Sequence, residues 1–558
     1  MYGENMYGEA GYGQNAGEGT GQFCPGAGEA SGQPYADAGQ GSGQPYVNAG
    51  PAAGPFCPGG APVPMRVHTV AGPRYSAKLE TIMDRFRLYG VGSIVYGILF
   101  TICLYPGFCG ISVPALSFFT MGCLFFLFRD MKIETGKSVW FYFVCWGLLS
   151  VSSCLTGSRV IITFNTIGML LLFLGLMLSR FCNTKTWGFG TYLLQICKAP
   201  FVAMGCLPCF FRSFNRFLSR EKEGGPSKGK YIWLGAGLSV PVVLIAVCLL
   251  ASADAVFEQL CDTILEAIKF PAHPFWMVLL LSAGILGSYA LLAYFVENED
   301  RRIVKEEKKK WEPMIGIAFL LVLTIVYVIF SGIQISCLFF GRFALSDGYT
   351  YASYAREGFF QLLLVCLMNL VILLTCVSWF REHGVLKLLL TIFSVCTLIM
   401  DASSAMRMML YVQAYQLTFM RVLVLWVLVV IAILLAGCIV TVYNPCFPLF
   451  RYGMAVVTVC YLIFSLAKPD YMIAKYNVAH ASDELDVSYL CSLSSDAVPV
   501  LEEAGLLDPQ AWEYGYLNRY YLRMKLSCYR EMGIRSFNLS DYTAGKILEK
   551  YEDELSQG

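Results

Sequence analysis

The stretch FMRVLVLWVLVVIAILLAGCIVTV, residues 419–442, decides the fold, because it carries a single charge, Arg421, in an otherwise apolar run. As an α-helix rising ~1.5 Å per residue, it matches a hydrocarbon core ~30 Å thick. A helix of a soluble protein needs one apolar stripe, not an apolar surface all round. The stretch is read as a transmembrane helix.

Runs of the same kind lie on either side: Leu88 to Tyr105, Ile111 to Phe128, Val139 to Thr156, Val160 to Leu178, Tyr231 to Ala251, Pro274 to Phe295, Met314 to Phe340, Phe359 to Trp379, Leu386 to Tyr411 and Gly453 to Ala467. The sequence therefore predicts an all-α integral membrane protein, a polytopic bundle of about eleven transmembrane helices across residues 88–467. Composition agrees: of 558 residues 56% are hydrophobic and only 15% charged, with a mean hydropathy of +0.56. Soluble domains are about one quarter charged. The net charge of +1 says nothing about partners, whereas the placement of basic residues does.

Arg74, Lys78, Arg85 and Arg87 precede the first span, which assigns the N-terminus to the cytoplasm. Counting alternately, the clusters at Arg129 to Lys137, Arg180 to Lys230, Arg301 to Lys310, Arg381 to Lys387, and Arg451 fall inside as well. An odd span count then puts the region after Lys468 outside. Residues 252–270, SADAVFEQLCDTILEAIKF, space acids on one face and aliphatics on another, as in an amphipathic helix on the outer surface. These features describe a multi-pass membrane protein with a cytoplasmic N-terminus.

Residues 1–64 repeat MYGE, SGQPY and FCPG and hold almost no branched aliphatics to bury, so a disordered tail is expected, followed by a juxtamembrane segment at 65–87. No signal peptide is read before the first span, which is expected to serve as the targeting signal. Of 22 cysteines, those such as Cys103, Cys366 and Cys438 lie inside apolar runs, where a thiol packs as a small hydrophobe.

Three stretches carry a resemblance: YTYASYAREGFFQLLLVCLMNL (349–370), SSAMRMMLYVQAYQLTFMRVLVLW (403–426) and KYNVAHASDELDVSYLCSLSSDAVPVL (475–501). With SADAVFEQL at Ser252 they are similar to a bacterial polytopic membrane family known only as a domain of unknown function, of the DUF 4153 / DUF 4173 type. The resemblance covers roughly Arg85 to the C-terminus and implies a fold but no activity. It also implies a glycine where this chain has Gln416, a departure that bears on the helix-end geometry there.

Ionisable groups at membrane depth are costly and mark candidate sites. Arg356, Glu357, Asp401, Arg407, Tyr411, Tyr415 and Arg421 gather toward the outer half of the later spans, with Asn369, Gln334, Gln413 and Gln416 in reach. Arg407 and Arg421 would clamp an anionic or zwitterionic group, with Asp401 as counter-ion. The structural alternative, that these side chains cap helix ends and pair with one another, is the heavier of the two. In the basic amphipathic cytoplasmic segment 180–230, Phe210, Phe214 and Phe217 or Leu218 share one face. Arg212, Arg216 and Arg220 share another and suit anionic lipid of the inner leaflet better than nucleic acid. Within it, Cys206 and Cys209 form a lone C-x-x-C, more often structural than redox-active. No metal site, cofactor motif or catalytic set is found. The four histidines, His68, His273, His383 and His480, are scattered, so the chain is not read as an enzyme.

Residues 468–558 turn polar and Tyr-rich and predict a small helical domain. Starts are expected at Ser495–Asp496, Asp508–Pro509 and Ser540–Asp541, with Tyr489, Leu490, Leu493, Val498, Leu501, Trp512, Tyr516 and Leu517 as core. Asp486, Asp496 and Asp508 are read as caps before cation ligands, and Cys491 and Cys528 as the one pair able to oxidise outside. The leading expectation is a membrane scaffold or sensory component coupling an outer domain to cytoplasmic partners. The rival is a transporter or lipid- or solute-handling protein using the Asp401, Arg407 and Arg421 region.

Overall fold

In a computed structural model, the described residues are 75–105, 107, 110–182, 184, 187, 189–221, 250, 272–299, 311–336, 358–480, 485–507 and 516–552. The expected tail at 1–64, the span from Tyr231 to Ala251 apart from Leu250, the outer helix at 252–270, Arg356, Glu357, Asp508 and Trp512 lie outside them. No strand occurs among the described residues, only an isolated bridge between Trp311 and Phe380.

A short helix α1 (Ala77–Asp84) opens the described chain, capped by Ser76 Oγ, which accepts from the Leu79 amide at 3.3 Å. Then come α2 (Phe86–Leu104), α3 (Ser112–Asp130), α4 (Lys137–Leu155) and α5 (Arg159–Phe181). A bent pair follows, α6 (Phe189–Met204) and α7 (Leu207–Glu221). After it come α8 (Ala272–Glu299), α9 (Pro313–Gln334), α10 (Phe359–Trp379), α11 (Gly384–Tyr415), α12 (Phe419–Tyr443) and α13 (Leu449–Leu466). Ten of these helices are long and apolar enough to cross a membrane, and each coincides with an expected span. Their backbones bond internally, which hydrocarbon demands.

Two apolar cores form. Leu124, Phe128, Leu149, Leu176, Phe181 and Phe295 anchor the first, and Leu320, Leu373, Phe393, Ile431 and Leu435 the second. Where α2 crosses α8, the backbones touch. A Cβ built on Gly284 would stand 2.8 Å from Gly97 Cα, so only glycine fits. Polar side chains join α4, α5 and α13. Asn165 donates to Ser153 Oγ at 3.0 Å and accepts from Tyr461 at 2.7 Å and Ser465 at 2.9 Å, which uses both lone pairs of its buried amide oxygen.

The two ends of the bundle are distinguishable. At one end, Arg85 pairs with Asp130 at 3.2 Å, the Ser76 amide donates to Glu297 at 2.9 Å, and Arg216 meets Asp84 at 3.9 Å. At the other sits the C-terminal domain. Both ends of the bent pair lie at the α1 end, since Tyr192 stacks on Phe450 at 3.7 Å and Phe210, Phe214 and Phe217 surround Phe86, each at 5.6 Å. The pair, bent by 44°, therefore runs along that end without crossing. Because α8 finishes at the α1 end, its first residues lie ~40 Å away at the other. Phe86 thus lies at the α1 end of the bundle and Leu466 at the other.

The C-terminal domain comprises α14 (Pro469–Ala479), α15 (Val487–Ser492), a 3-10 turn (Ser495–Ala497) leading into α16 (Val498–Glu503), α17 (Tyr516–Arg530) and α18 (Leu539–Leu548). Leu490, Leu493, Val498 and Leu501 are buried in its core as expected, joined by Ile473, Leu522, Leu526 and Leu548. Gly505, at φ +70°, ends α16. The last helix starts earlier than expected: Asn538, not Ser540, is its cap, accepting from the Ser540 amide at 2.9 Å. Asp486 is a cap as read, accepting from the Tyr489 amide at 2.8 Å. Cys491 is buried and Cys528 exposed, both as free thiols.

Candidate functional site: an intramembrane polar seam and a docked chamber

The polar residues expected to form one cluster divide into two. The first group lies between α9 and α11. The buried residues of α9 form one stripe, Gly316, Leu320, Thr324, Tyr327, Ser331 and Gln334, spaced three or four apart, and four of the six are polar. In a helix otherwise apolar, the polar side chains are turned inward, away from lipid. The facing stripe of α11 buries Thr397, Asp401, Ser404 and Arg407. Tyr327 donates to Asn369 of α10 at 2.9 Å, and Asn369 donates to Thr397 at 3.1 Å. Two turns toward the C-terminal domain, Gln334 Oε1 accepts from Ser403 at 2.7 Å and from Arg407 at 3.1 Å. Asp401 is 5% exposed, with no hydrogen-bond partner for Oδ1 among the described residues. It is not the counter-ion of Arg407. Six residues on one helix put the two side chains ~120° apart around the axis, and no ion pair joins them.

The second group caps a helix end. Arg421 donates to the carbonyl oxygens of Tyr415, at 2.6 Å, and Gln416, and its guanidinium lies 4.2 Å from the Tyr411 ring centroid. Tyr411 and Tyr415 pack with ring centroids 5.1 Å apart. These contacts satisfy the last carbonyls of α11, the structural role weighed for them. Gln416 itself has φ +62° and ψ −178°, a backbone region close to exclusive to glycine.

Sequence reasoning missed how the C-terminal domain meets the bundle. Its side chains bond to the helix ends that face it. Arg535 donates to Ile102 O at 2.9 Å and Tyr105 O at 3.1 Å at the end of α2. Asn538 donates to Ser153 O at 3.3 Å and Thr156 O at 2.8 Å at the end of α4 while capping α18. Asn477 brackets Leu417 in the α11–α12 turn at 2.8 and 2.9 Å, and Tyr489 accepts from the Phe419 amide at 3.0 Å. Thr156 bonds to Asp496, which Lys468 meets at 3.5 Å.

Between domain and bundle lies a chamber of about 1450 Å³, lined by Arg159, Asp470, Lys525, Arg535 and Asp541 among others. Burial holds Lys525 down to about 8, and its ammonium donates to Cys491 O. Burial also lifts Asp470 and Asp541 above the ordinary carboxylate range. The chamber thus holds charges of both signs in a desolvated wall.

At the α1 end, the aromatic face expected on α7 exists, but Phe210, Phe214 and Phe217 pack on Phe86 as well as facing outward. Arg212 lies 5.7 Å from the Tyr75 ring centroid, Arg216 faces Asp84, and the Arg220 side chain is outside the described set. Cys206 hydrogen-bonds to Cys209, which holds the Cys209 thiol below its ordinary value. No group of three metal-ligating side chains occurs among the described residues.

No curated protein and no solved structure matches the chain. A family model described as a domain of unknown function (DUF4153) matches residues 143–504, narrower than the region from Arg85 onward read from the sequence. It takes in the seam and stops before Lys525, Arg535 and Asn538. The match spans more than half of the 558 residues and includes all three stretches of the resemblance, so this multi-pass membrane protein belongs to the DUF4153 family.

Proposed function

We propose that the protein is a non-enzymatic sensory or scaffold component of a bacterial cytoplasmic membrane, with its C-terminal domain outside and its partners inside. One observation carries the reading: the C-terminal domain supplies the hydrogen bonds that close the ends of α2, α4 and the α11–α12 turn. Any change in that domain bears on helices from both cores at once. The chamber beneath it gives a solute a place to act. The orientation is supported by Arg85, Arg129, Lys132, Arg180, Arg381, Lys387 and Arg451, all at helix ends opposite the domain. The basic residues Arg212 and Arg216 of α7 would then meet anionic lipid of the inner leaflet.

Hydrogen exchange on the purified full chain tests the coupling. The double variant Asn477→Ala and Asn538→Ala is expected to release the domain and to change protection in α1 and α7 at the far end. If the domain is released and the far end exchanges as in the wild type, the sensory reading fails. Paired reporters fused after Gly558, one active only outside and one only inside, test the orientation, and an inside signal reverses it.

A further inference from the structure

We propose that the seam between α9 and α11 binds a small monovalent cation, with Asp401 supplying the charge and Ser331 a neighbouring hydroxyl oxygen. Three buried oxygens on this seam, Asp401 Oδ1, Ser331 Oγ and Thr324 Oγ1, have no hydrogen-bond partner among the described residues. Other buried hydroxyls in the spans behave differently. Thr101, Thr397 and Thr441 each donate to the carbonyl four residues back at 2.8 Å, and Ser394 does so at 2.7 Å. The hydroxyls of Thr324 and Ser331 forgo that bond, which is ordinarily the easiest for a helix to make.

The register of the two helices places Ser331 beside Asp401. Below, the Tyr327 ring stacks on Phe393 at 5.4 Å and reaches Thr397 through Asn369. Above, Gln334 contacts Ser403 and Arg407. Both helices run in the same direction, so Ser331, one turn from each of these levels, falls level with Asp401. A buried oxygen without a partner is costly, and several along one line call for an ion or water between them. A carboxylate at this depth also needs a countercharge. Arg407 is turned to Gln334 around the helix. Among the described residues, the Cys366 thiol of α10 faces Asp401, and Tyr327 of α9 lies one level below it in the seam. Of the charged side chains on α12, Arg421 is engaged with helix-end carbonyls. One carboxylate with hydroxyl oxygens suits a single positive charge, whereas divalent sites draw on several carboxylates.

An alkali ion and a proton share this chemistry, and two arms separate them. The site is independent of the docked domain, so its failure leaves the sensory reading untouched. The melting temperature of the full chain in nanodiscs is followed first as sodium chloride replaces choline chloride at constant ionic strength. It is then followed in choline chloride as the pH is lowered from 8 to 5. A saturable upward shift of a few degrees with sodium, lost in Asp401→Asn, reduced in Ser331→Ala and retained in the lipid-facing control Thr375→Ala, identifies an alkali ion. The same shift on acidification alone, again lost in Asp401→Asn, identifies a proton. The proposal is overturned if Asp401→Asn responds to sodium and to acid as the wild type does, which leaves only water in the seam. Should Asp401→Asn not accumulate, Ser331→Ala combined with Thr324→Ala makes the same comparison, and an unchanged response overturns the proposal equally.

Discussion

The backbone at Gln416 makes a quantitative prediction. Its φ of +62° with ψ of −178° lies where a side chain costs ~1–3 kcal/mol, and glycine pays nothing there. Gln416→Gly removes that strain while keeping every backbone contact described: the carbonyl still accepts from Arg421, and Leu417 remains bracketed by Asn477. Glycine gives back ~0.4–1 kcal/mol through the freedom it gains in the unfolded chain. A net stabilisation of about 0.5–2 kcal/mol is expected. Gln416→Ala is the necessary companion, since it removes the amide but keeps the Cβ, and it is expected to gain nothing. The assay is reversible denaturant unfolding of the purified full chain in micelles, followed by tryptophan fluorescence, with all three chains compared. Equal midpoints for Gln416→Gly and Gln416→Ala would refute the argument, because they would show that no strain is stored at this turn.

Two further outcomes follow from packing and from charge. Gly284→Leu should separate α2 from α8 and cost ~1–3 kcal/mol or more, because its Cβ alone meets Gly97 at 2.8 Å and Phe100 at 3.0 Å. Gly287→Leu, which meets open space, should leave the melting temperature unchanged, and equal loss in both variants would exclude the close crossing. Lys525 has a folded value of about 8, below its unfolded 10.5, so between those values the unfolded chain binds the extra proton and stability rises with pH. Lys525→Met should remove that rise between pH 8 and 10.5 in melting curves, and an identical slope in both chains would count against the buried amine. Asp470 and Asp541 act in the opposite sense. Burial lifts both above their unfolded values, so the stability they cost is recovered as pH falls through the raised values.

Hydropathy made the spans readable because each transmembrane helix satisfies its own backbone, so length and apolarity alone determine it. The inward stripe of α9 was equally within reach: Thr324, Tyr327, Ser331 and Gln334 recur at helical spacing in a run that is otherwise apolar. The reading instead weighted charged residues, and it grouped Arg421 with Asp401 because both lie toward the same membrane face. Depth separates them: Asp401 lies about four turns before the end of α11, in the seam, whereas Arg421 sits in the first turn of α12 and bonds the last carbonyls of α11.

The sequence by itself determined the number and limits of most spans, the polar terminal domain and the alternation of basic ends. These depend on neighbours along the chain. Only the tertiary structure decided that the Asn165 amide oxygen would be bonded by Tyr461 and Ser465 about 300 residues on, and that Asn538 would close the end of α4 at Thr156. It also decided that Lys525, Asp470 and Asp541 would share one chamber wall. Such pairings have no local signature, since a buried polar group is satisfied by whichever helix end or side chain the packing brings to it.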